Sequence, residues 1–425
     1  MSAHETTTVT PDRALSTVHG RVSGLATGIW LGAIAVGVAG FLFALGRDPQ
    51  RAWMSVYVNF LFWTGLAQAG VIFGAVLVVA KGHWGKPFRR VAEAMGAFLP
   101  IALLVFAGMY FGAGHIFPWI DPSWPGHINR TWLTVDRVFV RNGILLLVLF
   151  GLSFWYLRLS LRPDAPLIAT KQTGWRKSLL EAVARGWRGD EEETARSRQT
   201  LSWLAPVLIG AWVMVFSLLS FDLTMSLMPS FMSVIWGALY FVGGWLGMLG
   251  LVAVLAHRYK EHYSLEDVWG KWEFHDLGKL MFAFVIFWSY LWFSQFLPIW
   301  YGNIGRETQL FELRTENGFG ALLWAQMALI FAVPFALLLW RKPKMNSRHL
   351  AIAGLVILAG FWLERYLQIV PSIWTGDSPP FGVPEVAVTL GFLGLFGLSY
   401  SLFASVMARV PIREALILGS RAKGP

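Results

Sequence analysis

Lys279, Tyr290, Ser294 and Tyr301 stand in one apolar stretch, "HDLGKLMFAFVIFWSYLWFSQFLPIWYGNIGRET", at intervals of 11, 4 and 7 residues. Those intervals place the four on one face of a 3.6-period helix. At about 1.5 Å per residue the row runs roughly 33 Å, the thickness of a bilayer. His275 and Asp276 open the stretch, and Arg306 and Glu307 close it. Pro298 has no N–H, so the carbonyl of Ser294 loses its helix partner and can accept from water. Such a row either passes a proton along water or bonds neighbouring helices; the spacing fits both. Glu364 and Gln368 lie one turn apart and can share a proton or a water, while Glu364 beside Arg365 also fits a structural ion pair. Asp222, in "SFDLTMSLMPS", has no Lys or Arg in the adjacent outer loop and reads as a desolvated carboxylate. Arg141 is the natural structural partner for one of these acids. Glu93, next to Arg89 and Arg90, reads as an interfacial pair.

The elements that must hold these residues are membrane helices. The 425-residue chain is 56% hydrophobic and 14% charged, a balance unlike that of a soluble enzyme. About 20 apolar residues cross the hydrocarbon core, and on that basis about ten spans are expected. They fall near 24–45, 54–80, 91–112, 138–160, 201–226, 230–257, 276–301, 318–340, 349–370 and 384–408. The expected fold is therefore an all-α polytopic membrane protein. A tail (1–23) precedes a first half (24–160), and a polar loop (161–200) leads to a second half (201–408) and a final tail (409–425). The loop should hold an amphipathic helix at 176–188, anchored by Trp175 and Trp187, followed by a solvated turn at "DEEE". "SVYVNFLFWTGLAQAG" and "SVIWGALYFVGGWLGMLG" open the second and sixth spans. Two copies of a four-helix unit, spans 2–5 and 6–9, would explain that likeness, with both copies in one orientation.

Net charge is +10. With the N-terminus inside, about 27 Lys/Arg lie inside and about 8 outside, so both termini are expected in the cytoplasm. The basic excess suits anionic phospholipid; no basic run is organised for nucleic acid. There is no cysteine, which excludes an iron–sulfur cluster or covalent haem held by this chain. None of the nine histidines falls mid-span, so no b-type haem is expected; His115, His257, His275 and His349 sit near span ends. No His/carboxylate spacing suits a metal. A stand-alone secondary transporter would show paired helix breaks in its two halves, and none is evident.

Four stretches resemble the ActF-type membrane subunit of bacterial alternative complex III, one of the NrfD-like (polysulfide reductase-type) subunits. They are "HWGKPFRRVAEAMGAFLP" (83–100), "FDLTMSLMPSFMSVIWG" (221–237), the 275–308 stretch quoted above and "FWLERYLQIVPSIW" (361–374). With intervening spans of matching length they cover most of residues 50–375. The resemblance implies two four-helix bundles plus two peripheral helices in the bacterial cytoplasmic (inner) membrane. It implies a homologous NrfD-like subunit, a multihaem cytochrome c, an iron–sulfur protein and small membrane-anchored subunits as partners. Haem c and iron–sulfur clusters would sit in those partners, and quinol oxidation would pass electrons to a cytochrome c or another periplasmic carrier. This chain would be a scaffold with a proton half-channel; the alternative is a quinone-binding subunit with its own quinol site. Leu223 stands where the family pattern has an aromatic, and Met228, Pro229 and Ser230 make that end more apolar than the pattern.

Overall fold

A computed structural model describes residues 11–18, 20–124, 129–228, 231–266 and 268–413. Pro229, Ser230 and the outer parts of both tails lie outside the described residues. Among the described residues ten helices are long and apolar enough to cross a membrane, and there is no strand. They are α1 (Gly24–Leu45), α2 (Pro49–Val79), α3 (His83–Ile116), α4 (Val135–Leu161), α5 (Asp190–Leu227), α6 (Ile235–Tyr263), α7 (Lys271–Gly302), α8 (Phe319–Leu339), α9 (Ser347–Ile373) and α10 (Val383–Val406). The chain is an all-α polytopic membrane protein. Several helices outrun their apolar stretch because polar ends extend into the loops. α5 is the clearest case. "DEEE" is not a turn but its first turn, where four acidic side chains meet the helix N-terminus.

Helices α2–α5 form one four-helix bundle and α6–α9 a second, with α1 and α10 paired alongside. The bundles meet where α2 crosses α6, the two helices whose sequences resemble each other. A Cβ on Gly65 would lie 3.8 Å from the Cα of Gly244, so small residues set that approach. The α1–α10 pair is tighter. A Cβ on Gly37 would lie 2.3 Å from the Cα of Gly391, and one on Gly40 2.4 Å from the Cβ of Ala387. The Trp30 indole donates to Ser401 Oγ at 3.1 Å across the same seam. Replacing Gly391 with valine forces backbones apart. The expected cost is about 1–3 kcal/mol, read as a lowered melting temperature in detergent, with Gly151→Val, which meets open space, as control.

Both ends of the described chain lie on one face, here the terminal side. There Thr17 Oγ1 accepts from the backbone N–H of Arg409 at 3.1 Å. Asp164 accepts from the N–H groups of Ile412 and Arg413 at 3.3 and 3.0 Å, pinning the chain end over the bundle. The amphipathic helix spans Gly174–Val183, with Trp175 and Leu179 exposed and Leu180 buried. Trp187 lies beyond that helix, half-buried, with the guanidinium of Arg413 5.2 Å from its ring.

Candidate functional site

The polar row on α7 faces away from the bundle. Tyr290 is 61% and Tyr301 84% exposed; Lys279 is exposed and Ser294 half-buried. The buried face of α7 is Leu277, Gly278, Met281, Val285, Trp288, Leu291, Gln295 and Ile299. The row along Lys279, Tyr290, Ser294 and Tyr301, expected either to pass a proton along water or to bond neighbouring helices, borders the surroundings of the chain, because Leu277, Met281, Val285, Trp288 and Leu291 fill the buried face of the helix. Pro298, also exposed, does not interrupt the helix, which runs to Gly302. At the terminal-side end Lys279 Nζ pairs with Asp276 at 2.7 Å, and His275 lies 3.6 Å from the same carboxylate oxygen.

Glu364 is where the interior carries chemistry. It is 2% exposed, beside Arg365 (0%) and Gln368 (4%), about two-thirds of the way along α9. Its Oε1 accepts from Trp288 Nε1 at 3.0 Å and Gln368 Nε2 at 3.4 Å. Its Oε2 has no protein partner. Gly243 of α6 makes room for that oxygen; a Cβ there would lie 2.6 Å away. Arg365 does not bridge to Glu364. It donates to Gln368 Oε1 at 2.5 Å and the Tyr240 carbonyl at 2.6 Å, and stacks over the Tyr240 ring at 4.0 Å.

A cavity of ≈ 30 Å³ adjoins this cluster, lined by Trp236, Gln295, Arg314, Gln326, Glu364 and Gln368 among others. About 10–15 Å³ on this measure holds one water, so the space fits about two, and its polar lining supplies their partners. Arg314 comes from the short helix Gly305–Thr315, in the loop between α7 and α8. It is 5% exposed and donates to the carbonyls of Leu310 (2.7 Å) and Gln368 (3.3 Å) and to Ser372 Oγ (3.4 Å). Its partners are carbonyls and a hydroxyl rather than a carboxylate, and burial pulls its pKa down to about 9. Met228, one of the apolar departures, lays its sulfur 3.5 Å from the same guanidinium. On the other wall α8 widens into a π turn at Ala328–Ala332, against which Gly360 packs; a Cβ there would lie 2.6 Å from Ile330. Gln326 precedes that turn and Glu364 lies one turn after Gly360, so the bulge brings both to the cavity.

Asp222 is a different kind of acid. It is 2% exposed, and Arg141 donates to its Oδ2 through Nε (2.9 Å) and Nη2 (2.6 Å). Asn142 adds a bond at 2.8 Å, and the Trp132 indole donates to Oδ1 at 2.9 Å while its ring lies 3.9 Å under Arg141. Both oxygens are bonded and the charge is matched, so this is a closed ion pair on the far side of the fold. Leu223 turns inward, and its carbonyl accepts from Tyr57 at 2.6 Å.

Glu93 does pair with Arg89 and Arg90, as expected, but inside the protein. It is 0% exposed, held by Arg89 Nε (2.8 Å), Arg90 Nη1 (2.5 Å) and Ser160 Oγ (2.6 Å). Arg90 continues to Asp164 at 2.8 Å and Arg89 to Tyr156 at 3.0 Å. α2 passes close enough to seal the network because Gly74 has no Cβ; one there would lie 2.8 Å from Glu93 Oε1. Among the described residues two arginines and two acids share this buried network.

Sequence reasoning passed over Arg314, Gln326, Trp288, Tyr240 and Asp164. A signal existed for Gln326: a lone amide in an apolar span is costly without a partner. Among the described residues no group of three or more His, Asp or Glu side chains is placed to hold a metal ion. No protein-family model matches the chain, and no curated protein matches it.

Proposed function

We propose that the chain is an integral membrane subunit of a quinol-oxidising electron-transfer complex of the alternative complex III type. In that complex it supplies scaffold and a proton-handling site at Glu364, and the redox centres belong to its partners. The observation that carries this reading is the buried, partly unpartnered Glu364 carboxylate on a polar, water-sized cavity. A protonatable group with access to water is what proton movement requires. Small-molecule pockets run from about 300 Å³, and the ≈ 30 Å³ space beside Glu364 suits water better than a quinone headgroup. The family resemblance adds a second support. Its four stretches contain Glu93, Asp222, Trp288 with Gln295, and Glu364 with Arg365 and Gln368. Three buried polar clusters form around those residues; the buried Arg162–Glu193 pair lies outside the four stretches. The terminal side, rich in Lys and Arg, faces the cytoplasm of a bacterial inner membrane in this reading, which puts Glu364 in the periplasmic half.

The test is the company the chain keeps. Purified from native membranes in mild detergent, it is expected to bring chains that carry c-type haem and iron–sulfur absorbance. Isolation as a single chain that retains no coloured partner would overturn the reading.

A further inference from the structure

We propose that the far-side end of α4 holds a zwitterionic aminophospholipid, of the phosphatidylethanolamine class, in the outer leaflet. An open groove of ≈ 550 Å³ lies there, lined by Asp136, Arg137, Val140, Arg141, Ile144 and Leu145. Its charges are sorted. Arg141 gives its charge to Asp222. Arg137 is exposed, spends one hydrogen bond on the Thr131 carbonyl, and makes no ion pair among the described residues. Asp136 likewise makes no ion pair and accepts only from the Tyr110 hydroxyl, at 2.7 Å. The groove therefore offers one unmatched cation and one unmatched anion side by side. That pattern complements a headgroup carrying a phosphate and an ammonium. A purely anionic headgroup has no cation to set against the Asp136 carboxylate and offers it a neutral hydroxyl at most.

The groove also continues correctly for a lipid. Below Arg137 the outward face is Val140 (61% exposed), Ile144 (56%), Leu147 (55%) and Val148 (57%). Eleven residues at about 1.5 Å each carry this stripe roughly 16 Å, about half the hydrocarbon thickness, which is one acyl chain's depth. Tyr110 and Trp132, 44% and 46% exposed, flank the charged end as aromatic residues do at a membrane surface. Cations are scarce on this side under the positive-inside bias, so two arginines a single turn apart, one without an acid, call for an anionic group outside the chain. The inference rests on the membrane-spanning fold and the positive-inside orientation, and not on the quinol-oxidising reading.

The experiment is native mass spectrometry of the purified full chain, with whatever partners it retains. It is offered phosphatidylethanolamine, phosphatidylcholine and phosphatidylglycerol in equal amounts. Preferential retention of phosphatidylethanolamine is expected. Arg137→Gln and Asp136→Asn should each lower it about tenfold, the loss of one charge-assisted contact. Both sites are exposed, and an unchanged melting temperature verifies that each variant is folded. Equal retention in wild type and Arg137→Gln would overturn the site. Preference for phosphatidylglycerol, or no preference among the three, would overturn the aminophospholipid. A partner chain found seated on Val140 and Ile144 would do the same.

Discussion

Replacing Glu93 with alanine is expected to destabilise the protein by about 3–5 kcal/mol, the cost of removing one member of a buried ion network. Arg89 and Arg90 are each 5% exposed, and Glu93 binds both. Without it, Arg90 keeps Asp164, while Arg89 loses the carboxylate that its Nε binds at 2.8 Å. Removing a buried acid that two guanidinium groups share is the expensive outcome, more so than removing an acid and a cation together. Glu93→Ala combined with Arg89→Met should therefore recover part of the loss, since one cation leaves with the shared acid. Thermal unfolding in detergent, followed by tryptophan fluorescence, reads both variants. Equal melting temperatures for wild type and Glu93→Ala would mean that water reaches the network and that the packing around Gly74 is looser than described.

Glu364→Gln is expected to act the other way, on function rather than stability. The substitution keeps the shape and an acceptor for Trp288, and removes a charge that no cation bridges directly. Stability should hold to within about 1 kcal/mol, since replacing a buried charge by a neutral isostere is often neutral or favourable. In the quinol-oxidising complex proposed above, turnover coupled to proton release should fall about 100-fold, the usual scale for losing a positioned proton carrier. Asp222→Asn sharpens the comparison, because it breaks a closed ion pair and should lower the melting temperature instead. The measurements are quinol-dependent turnover and proton release in vesicles. Unchanged values of both in Glu364→Gln would remove Glu364 from the proton route.

The ten spans were legible because the bilayer imposes a length and an apolar composition that few other environments demand. α1 begins and ends where hydropathy puts it, at residues 24 and 45. The inside of each helix was not legible, because in lipid both faces of a helix are apolar. On α7, Tyr290 and Gln295 sit five residues apart, and polarity alone gives no reason to send one outward and the other inward. Packing decides: Trp288, Leu291 and Gln295 lie toward α6 and α9, and the tyrosine is left outside. Glu364 was legible from its cost in a membrane. Its cavity was not, since Arg314 arrives from a polar loop and Gln326 from the start of another span. Glu93 looked interfacial because a basic pair precedes it; only the approach of α2 at Gly74 reveals that it is sealed. The acidic run at 190–193 misled because the same residues that favour a turn also favour a helix N-terminus.

The α1–α10 seam also sets a schedule. α1 has as its main partner α10, made nine spans later, with Gly37 and Gly391 in near contact. At about 5–20 residues per second, roughly 20–70 s separate their synthesis. Through that interval α1 stays in the bilayer with Gly37 and Gly40 uncovered, until α10 arrives to cover them. Deleting α10 is expected to retain both bundles and to leave those two glycines facing lipid.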